Sequence, residues 1–337
     1  MANMYELFNS VDMDLKEYEN QQLSDYELHK LKKDVKKKLK MRNSGSIRKK
    51  GIVVAACFCA VFGISTVSAV AGLLPVPESI RNVFGIQSTE QIQLSQDMGR
   101  TLDIESVSEG YRITATGVLK DASNICVTYR IEKADGSTLN KDGKDCSDAA
   151  IMYLDTKQDW LGGASGIIKG ENSPYYIDIY TIFNYDSSIR DNMSLSLQKL
   201  NLWFDQDEDE HTQIDGTWTF KIPTDMTDSS IEIASKKAIQ LGKNEGTLER
   251  LNVSPMGFYF CVTSDEELDQ NELIIGSDGQ MWLYLKNGDK IRLDGASAVK
   301  EISNKQWSFI QTGTFDQFIT IDEMDKIVLG EYEFKVK

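Results

Sequence analysis

Gly51-Ile-Val-Val-Ala-Ala-Cys-Phe-Cys-Ala-Val-Phe-Gly-Ile-Ser-Thr-Val-Ser-Ala-Val-Ala-Gly-Leu-Leu74 is a stretch of 24 residues without a charged side chain. At about 1.5 Å of rise per residue, a helix of this length reaches about 36 Å, which is enough to cross a hydrocarbon core of about 30 Å. A buried helix of a soluble protein is rarely so long, and it carries polar residues on one face. The sequence therefore predicts one transmembrane helix over residues 51–74.

The same stretch has an alternative interpretation as a secretory signal peptide, because Ala69-Val-Ala71 resembles a cleavage site. The region before the apolar core would then be about fifty residues long and the core about twenty, and both exceed the lengths usual in signal peptides. We therefore favour a span that stays in the chain and keep cleavage as the alternative.

Charged residues are distributed unequally on the two sides of the span. Residues 30–50 contain eleven basic residues and one acid, whereas Arg81 is the one basic residue in residues 76–95. Basic residues concentrate on the cytoplasmic side of a membrane helix. The sequence thus predicts a single-pass protein of the cell membrane with a cytoplasmic N-terminus and an extracellular C-terminus. Pro75 and Pro77 are expected to end the helix at the outer face.

The net charge argues against a protein that binds nucleic acid directly. The 337 residues carry 37 basic and 52 acidic side chains, which gives a net charge of −15. Residues 1–50 hold 12 of the basic and 8 of the acidic residues, so the part beyond the span is strongly acidic. Direct contact with nucleic acid needs a basic surface. The 41% of hydrophobic and 26% of charged residues fit a globular protein.

The inner segment, residues 1–50, is predicted to form two amphipathic helices. Leu7, Val11, Leu15 and Tyr18 recur at spacings that place them in one apolar stripe on the first helix. Two helices in fifty residues cannot bury such stripes well by themselves. We expect the stripe of the first helix to bind a cytoplasmic protein partner, by docking of a helix into a groove.

The second inner helix has a simpler explanation in the lipid bilayer. Its capping box is Ser24-Asp-Tyr-Glu27, and its own apolar stripe follows. Most of the basic residues of the inner segment lie on this helix, where each contributes about 1 kcal/mol of attraction to anionic lipid. The first helix has Lys16 as its one basic residue, so lipid does not account for it.

Beyond the span the sequence predicts strands. Residues 111–119 and 125–131 alternate in polarity and are rich in β-branched and aromatic residues, and later runs repeat this pattern. From about Gln87 onward we expect few helices. Pairs of Asp or Asn followed by Gly separate the runs and predict tight turns; they are Asp135-Gly136, Asp142-Gly143, Asp278-Gly279 and Asn287-Gly288.

Short strands with regular turns over about 250 residues indicate a mainly β protein with two tandem β-sandwich modules. The polar, turn-rich residues 223–230 separate the two. The predicted organisation is therefore cytoplasmic helices at 1–50, a transmembrane helix at 51–74, a membrane-proximal β-sandwich at 75–225 and a C-terminal β-sandwich at 226–337.

The sequence offers little for catalysis. The two histidines, His29 and His211, fall on opposite sides of the predicted span, and neither lies near a nucleophile motif. The stretch Gly162-Gly-Ala-Ser-Gly166 is expected to be a loop, but it lacks the Lys and the following helix that phosphate binding needs. No paired-cysteine metal motif occurs. We expect no enzymatic activity, no cofactor and no metal ion.

Three weaker patterns leave alternatives open. Cys126 and Cys261 are expected as buried thiols, with a Cys126–Cys146 disulfide as the alternative. The acidic run at residues 205–210 is expected to be a solvated hairpin tip, with a weak divalent-cation site as the alternative, because its spacing matches only part of a calcium loop. Strand aromatics usually pack in cores or across strands, and a carbohydrate-binding face is the alternative for four of them: Tyr175, Tyr176, Tyr180 and Trp203.

Several motifs carry a family resemblance. They are Asp14-Leu-Lys-Glu-Tyr18, Lys36-Lys37-Lys38, the span with Pro75-Val-Pro77-Glu-Ser-Ile-Arg81 after it, Trp218-Thr-Phe220, Val253-Ser254-Pro255 and the ending from Ile321-Asp322 to Ile327-Val-Leu-Gly-Glu-Tyr332. With them the chain resembles a group of single-pass membrane proteins from Gram-positive bacteria, catalogued as domain of unknown function 4179. In this group an immunoglobulin-like module often follows that domain. The resemblance extends over nearly the full chain and its motifs are structural.

Members of this group are similar to anti-sigma factors, which hold a sigma factor at the inner membrane face until an envelope signal arrives. The resemblance implies that Leu7, Val11, Leu15 and Tyr18 face a cytoplasmic sigma factor, while the outer part senses an extracellular or cell-wall ligand. The alternative is a surface adhesion or wall-binding protein whose inner segment is only an anchor. The first inner helix separates the two hypotheses, because an anchor has no use for an apolar stripe there.

Overall fold

The part of the chain that can be described begins just after the predicted span. The computed structural model describes residues 76–154, 160–168, 173–185, 193–204, 211–241, 243–268, 281–303 and 306–337. These residues all belong to one compact unit. The predicted inner helices and the predicted span at 51–74 lie outside the described residues. Within the described ranges, no helix is both long enough and apolar enough to cross a membrane.

Two short helices open the described chain. Helix α1, Glu78–Phe84, ends at Gly85, whose φ of 61° is left-handed. Helix α2, Thr89–Met98, begins with a capping box in which the Ser88 hydroxyl accepts from the backbone of Gln91 and the Gln91 side chain accepts from the backbone of Ser88. The expectation of strands from about Gln87 onward is wrong over α2, whereas α1 lies before that point. The Ser88-x-x-Gln91 pattern was a readable sign of the helix start.

The first lobe consists of the strands that follow the helices. Strands β1, β2, β3, β8 and β7 form an antiparallel five-stranded sheet in that order, and β10, β9 and β6 form a three-stranded sheet. A small hairpin of β4 and β5 completes the lobe. The strands are β1 Gly99–Ser108, β2 Tyr111–Lys120, β3 Asn124–Lys133, β4 Asn140–Lys141, β5 Lys144–Asp145, β6 Asp148–Leu154, β7 Trp160–Ile167, β8 Tyr176–Tyr185, β9 Met193–Trp203 and β10 Thr212–Ile222.

Alternate side chains of the two sheets of the first lobe meet in one apolar core. Residues 111–119 and 125–131 lie in β2 and β3, so these two strand predictions are confirmed. Trp218 is fully buried in this core, and its indole nitrogen donates to the Tyr111 carbonyl over 3.1 Å. The partner satisfies the one polar atom of the indole, which is what a buried tryptophan requires.

The second lobe, like the first, is built from antiparallel sheets. Strands β11, β13, β14, β18 and β17 follow one another in one sheet, to which β12 adds by pairing with β13, while β16, β15, β19 and β20 form a four-stranded sheet. The two sheets enclose a second apolar core. The elements are β11 Ile231–Ala234, β12 Lys237–Leu241, β13 Asn244–Val253, β14 Gly257–Ser264, β15 Met281–Leu285, β16 Lys290–Arg292, β17 Ala296–Ser303, β18 Gln306–Thr314, a 3-10 helix Ile321–Glu323, β19 Met324–Leu329 and β20 Tyr332–Lys335.

Three of the predicted turns are present. Asp142-Gly143 joins β4 to β5, and both residues have positive φ, as a two-residue hairpin turn requires. Gly136 and Gly288 also have positive φ at the ends of β3 and β15. Residues 278 and 279 lie outside the described residues, so that turn stays a prediction.

The glycine-rich stretch at residues 162–166 is a strand and not the expected loop. It lies within β7, which pairs with β8 at the edge of the five-stranded sheet. A Cβ atom added to Gly163 would lie 2.0 Å from the Ile182 carbonyl oxygen. The glycine therefore allows a close approach of two strands, a use of glycine that sequence composition alone does not distinguish from a loop.

The structure confirms a mainly β protein built from several antiparallel sheets. The predicted division at residues 225 and 226 into two modules stays a prediction. Met226 packs in the core of the first lobe, and Ile231 packs against the core of the second.

Candidate functional site

A third apolar cluster joins the two lobes, and we call it the junction core. Its buried residues come from three regions of the structure; they are Val76, Ile80, Phe84, Ile86, Met98, Leu119, Cys126, Ile182, Met256 and Phe318. The first five belong to residues 76–98, which we call the latch segment. The next three lie on the outer face of the five-stranded sheet, and the last two belong to the second lobe.

Two hydrogen bonds to the backbone of Phe318 also hold the latch segment to the second lobe. The Phe318 amide donates to the Phe84 carbonyl over 2.8 Å, and the Gln91 side-chain amide donates to the Phe318 carbonyl over 2.8 Å. Gln91 thus caps α2 with its oxygen and contacts the second lobe with its nitrogen. Gln91 therefore couples the position of α2 to the position of the second lobe.

The connection between the lobes also contacts the end of the latch segment. The Thr227 amide donates to the Asp97 carbonyl over 3.0 Å, and Arg100 forms an ion pair with Asp225 at 3.0 Å. The ion pair is largely exposed, so it adds little to the free energy of folding. The hydrogen bond from the Thr227 amide fixes the path of residues 223–230 beside α2.

A cluster of buried polar side chains lies at the contact between the lobes, and we call it the junction network. Each member is at most 6% exposed; the members are Asp121, Asn124, Asn184, Ser254 and Thr312. The Ser254 hydroxyl donates to Asp121 Oδ2 over 2.6 Å, and the backbone amides of Ser123 and Asn124 donate to Asp121 Oδ1 over 2.8 and 2.7 Å.

The second half of the junction network is centred on the amide of Asn124. Its nitrogen donates to Asp121 Oδ2 over 3.0 Å, and its oxygen accepts from Asn184 over 2.7 Å and from the Thr312 hydroxyl over 2.9 Å. Asn184 belongs to the first lobe and Thr312 to the second. One amide oxygen therefore receives a hydrogen bond from each lobe.

The backbones approach closely beside this network. A Cβ atom added to Gly257 would lie 2.1 Å from the Gly313 carbonyl oxygen and 3.0 Å from the Asn124 amide nitrogen. Since both distances are shorter than normal contacts, a larger residue at this position would push β14 away from β18 and from the first lobe.

Burial determines the protonation behaviour of the site. Desolvation raises the pKa of Asp121, while the hydrogen bonds from Asn124 and Ser254 oppose this rise. Desolvation also raises the pKa of the Cys126 thiol in the junction core, so the thiol stays protonated and is a poor nucleophile. The arrangement is suited to holding the two lobes together.

The other two cysteines in the described ranges are thiols as well. Cys126 is buried as expected, whereas Cys146 and Cys261 are half-buried, and none of the three forms a disulfide. The alternative of a Cys126–Cys146 bridge is therefore wrong for this structure. Burial raises the pKa of Cys146 to about 12.

The structure separates the four aromatic residues of the alternative carbohydrate face. Tyr175 is 54% exposed, but the guanidinium of Arg130 covers the ring of Tyr176 at 3.8 Å, and Tyr180 packs against the junction core. Trp203 lies on the other sheet and contacts the ring of His211, with 5.0 Å between ring centres. Tyr176, Tyr180 and Trp203 each pack against neighbouring side chains, as strand aromatics usually do, whereas Tyr175 precedes β8 and is exposed.

The predicted partner-binding residues Leu7, Val11, Leu15 and Tyr18 lie outside the described residues, as does the acidic run at 205–210. Across the ranges that the structure describes, no group of three or more His, Cys, Asp or Glu side chains is placed to hold a metal ion. Sequence reasoning missed the junction network, because Asp121 and Ser254 are 133 positions apart.

Comparisons with known proteins identify part of the chain. Residues 43–133 match the family described as domain of unknown function (DUF4179), so the expected resemblance is confirmed for that segment. The matched segment includes the predicted span, the latch segment and Asp121, but not Ser254. None of the curated proteins matches the chain. Among solved structures, the chain is similar to the conserved domain protein from Bacillus anthracis, with 15% sequence identity, a TM-score of 0.42 and coverage of 69% of this chain and 77% of that chain.

Proposed function

We propose that the protein is a single-pass membrane signalling protein of the anti-sigma type. Residues 1–50 hold a cytoplasmic sigma factor through the stripe of Leu7, Val11, Leu15 and Tyr18, and residues 51–74 span the membrane. The two lobes are immunoglobulin-like β-sandwich modules outside the cell, and they sense envelope conditions through an extracellular or cell-wall ligand. Such a regulator acts by binding and release and needs no catalytic residue.

The burial of the latch segment is the observation that carries this proposal. Val76, two residues after the end of the predicted span, is 1% exposed, and Ile80 and Phe84 follow it into the junction core. A surface anchor is served equally well by a flexible linker at this position. A transmembrane sensor instead needs the span to be connected to the sensing body without slack, and the latch segment supplies such a connection.

The sequence pattern supports the same proposal. The positive charge before residue 51 and the acidic part beyond residue 74 give the span a direction. The apolar stripe of the first inner helix needs a partner that lipid does not supply, because Lys16 is the one basic residue on that helix. A protein partner in the cytoplasm fits both features.

The test is the recovery of a sigma factor with the full chain from solubilised membranes. We expect one sigma factor, identified by mass spectrometry, to co-purify with the native chain. The double variant Val11→Asp/Leu15→Asp should lose at least about tenfold of this recovery, because two charges then interrupt an apolar contact.

The matched control is Asn9→Asp/Asn20→Asp, which adds the same charge on the opposite face of the predicted helix. It should keep normal recovery. Failure to recover any sigma factor, or equal loss in both double variants, would refute the proposal. Binding of the chain to isolated cell walls without a sigma factor would favour the adhesion alternative.

A further inference from the structure

The contact between the two lobes and the contact between the latch segment and the second lobe use the same residues of the second lobe. Met256 and Phe318 of the second lobe bury Ile80 and Phe84, and Phe318 also makes both backbone contacts to the helices. If the second lobe moved away, the latch segment would lose these partners together. What would remain for it is the outer face of the five-stranded sheet.

The junction is also weaker than either lobe. The junction core has ten buried residues among those described, against 23 in the core of the first lobe and 19 in that of the second. The lobes also touch where Gly162 of β7 lies against Ala296 of β17, and through the junction network, whose hydrogen bonds can be exchanged for bonds to water at low net cost. Contacts between domains that are smaller than the domain cores open before those cores unfold.

We propose that the junction is a two-state latch, in which separation of the lobes and release of α1 and α2 are one cooperative event. In the closed state Thr312 and Ser254 hold the second lobe against Asn124 and Asp121, and Phe318 holds the helices. In the open state both lobes keep their own cores, while residues 76–98 become free to move.

The latch is a means of regulating the proposed function, and its role in the cell rests on that function. A ligand that binds better to one arrangement of the lobes shifts the latch by its difference in affinity for the two states. Because the latch segment follows directly after the predicted span, this shift reaches the membrane. By thermodynamic linkage, a change that favours release of the helices also favours separation of the lobes, and the two equilibria shift by the same factor.

Hydrogen exchange of the full chain in detergent micelles tests the latch. Thr312→Val removes, with little change of shape, the hydroxyl that lies 2.9 Å from the Asn124 oxygen across the junction and 3.1 Å from the Phe258 carbonyl within the second lobe. Thr312 makes no hydrogen bond to the amides of α1 and α2. We nevertheless expect these amides to exchange about fivefold faster in the variant, because the loss of about one hydrogen bond corresponds to this factor. Amides in the centres of the two lobe cores should keep their native rates.

Two matched variants serve as controls. Thr263→Val makes the same chemical change within the second lobe, where the Thr263 hydroxyl donates to Glu249 over 2.9 Å, and Thr312→Ser keeps the hydroxyl. Both should leave the exchange of α1 and α2 unchanged. Native exchange of the helices in Thr312→Val, or equal acceleration in Thr263→Val, would overturn the proposal.

A variant on the helix side tests the reverse direction and does not depend on the folding of Thr312→Val. Gln91→Glu keeps the oxygen that caps α2 but removes the amide that donates to Phe318. We expect about fivefold faster exchange at Phe318 and Thr227, whose amides donate to the Phe84 and Asp97 carbonyls of the latch segment. Gln93→Glu, with the same charge change at an exposed position of α2, should have no effect. Native rates at both amides in Gln91→Glu would contradict a cooperative latch.

These experiments are independent of the sigma factor. Cooperative exchange without a sigma factor would leave the latch in place and remove the anti-sigma proposal. A recovered sigma factor with independent exchange of helices and lobes would do the opposite.

Discussion

At the scale of single residues, the most consequential group is the carboxylate of Asp121. A carboxylate that is 2% exposed has lost most of its hydrating water. Hydrogen bonds from Ser254, from Asn124 and from two backbone amides replace that water. Since only Ser254 among these donors belongs to the second lobe, opening of the junction changes the surroundings of this carboxylate.

The stability contributed by Asp121 is expected to depend on pH. Its folded pKa is raised by burial, so the folded state binds this proton more tightly than the unfolded state. The resulting stability is fully present below the unfolded pKa and is lost as the pH rises through the folded pKa. The difference in unfolding free energy between the native chain and Asp121→Asn should therefore increase on acidification from about pH 7 to about pH 4.

Urea unfolding of the full chain in micelles, followed by tryptophan fluorescence, measures this difference. Asp228→Asn changes an exposed carboxylate in the same part of the chain and should show no such increase. A difference that shrinks toward low pH would mean that the hydrogen bonds outweigh desolvation and that the pKa of Asp121 is lowered.

Little of this residue-scale chemistry could be predicted from the sequence. Aspartate is usually exposed, and nothing in residues 119–125 marks Asp121 as buried. Ser254 belongs to a motif that supported the family resemblance, yet its partner is 133 positions away. A contact of this kind is fixed by the packing of the two lobes and not by local sequence.

At the scale of elements, α2 is short and depends on its first turn. The capping box at Ser88 and Gln91 satisfies amides that have no partner within the helix. Ser88→Ala should lower the unfolding free energy by about 1 kcal/mol, the usual cost of losing a capping side chain.

The control for this variant is Thr89→Ala, an exposed first-turn position that does not supply the cap. It should change the unfolding free energy by less than about 0.5 kcal/mol. Equal effects of the two substitutions, measured by urea unfolding, would show that the Ser88 hydroxyl does not stabilise the helix.

The strands were more predictable than the helices. Strands β2 and β3 carry the period-two alternation and the β-branched residues typical of strands, and the turns with Asp-Gly or Asn-Gly are readable from the sequence. The turn between β1 and β2, at Glu109 and Gly110, has the same positive φ values without that signature. The glycines of β7 predict a loop from composition, whereas in the structure they allow close packing of this strand against β8.

At the scale of the whole molecule, the proposal depends on the direction in which the chain crosses the membrane. With one epitope tag before Met1 and another after Lys337, protease added to protoplasts should remove the second tag and leave the first. The reason is the excess of basic residues before the span. Immunoblotting of the two tags measures the result.

Permeabilised protoplasts provide the control, because both tags should then be lost. Protection of the tag after Lys337 in intact protoplasts would reverse the assigned sidedness and remove the regulator proposal with it. The overall β class was predictable from alternation and turns. The junction core was not, since it brings Ile80 together with Met256 and Phe318 over more than 170 positions of sequence.

The place of Cys126 beneath the latch segment gives the protein a natural reporter. Its thiol is fully buried in the junction core and protonated while the latch is closed. An alkylating reagent can reach it only during an opening, so the speed of its modification counts openings as they occur. The same property shields this sulfur from oxidants for as long as the helices stay in place.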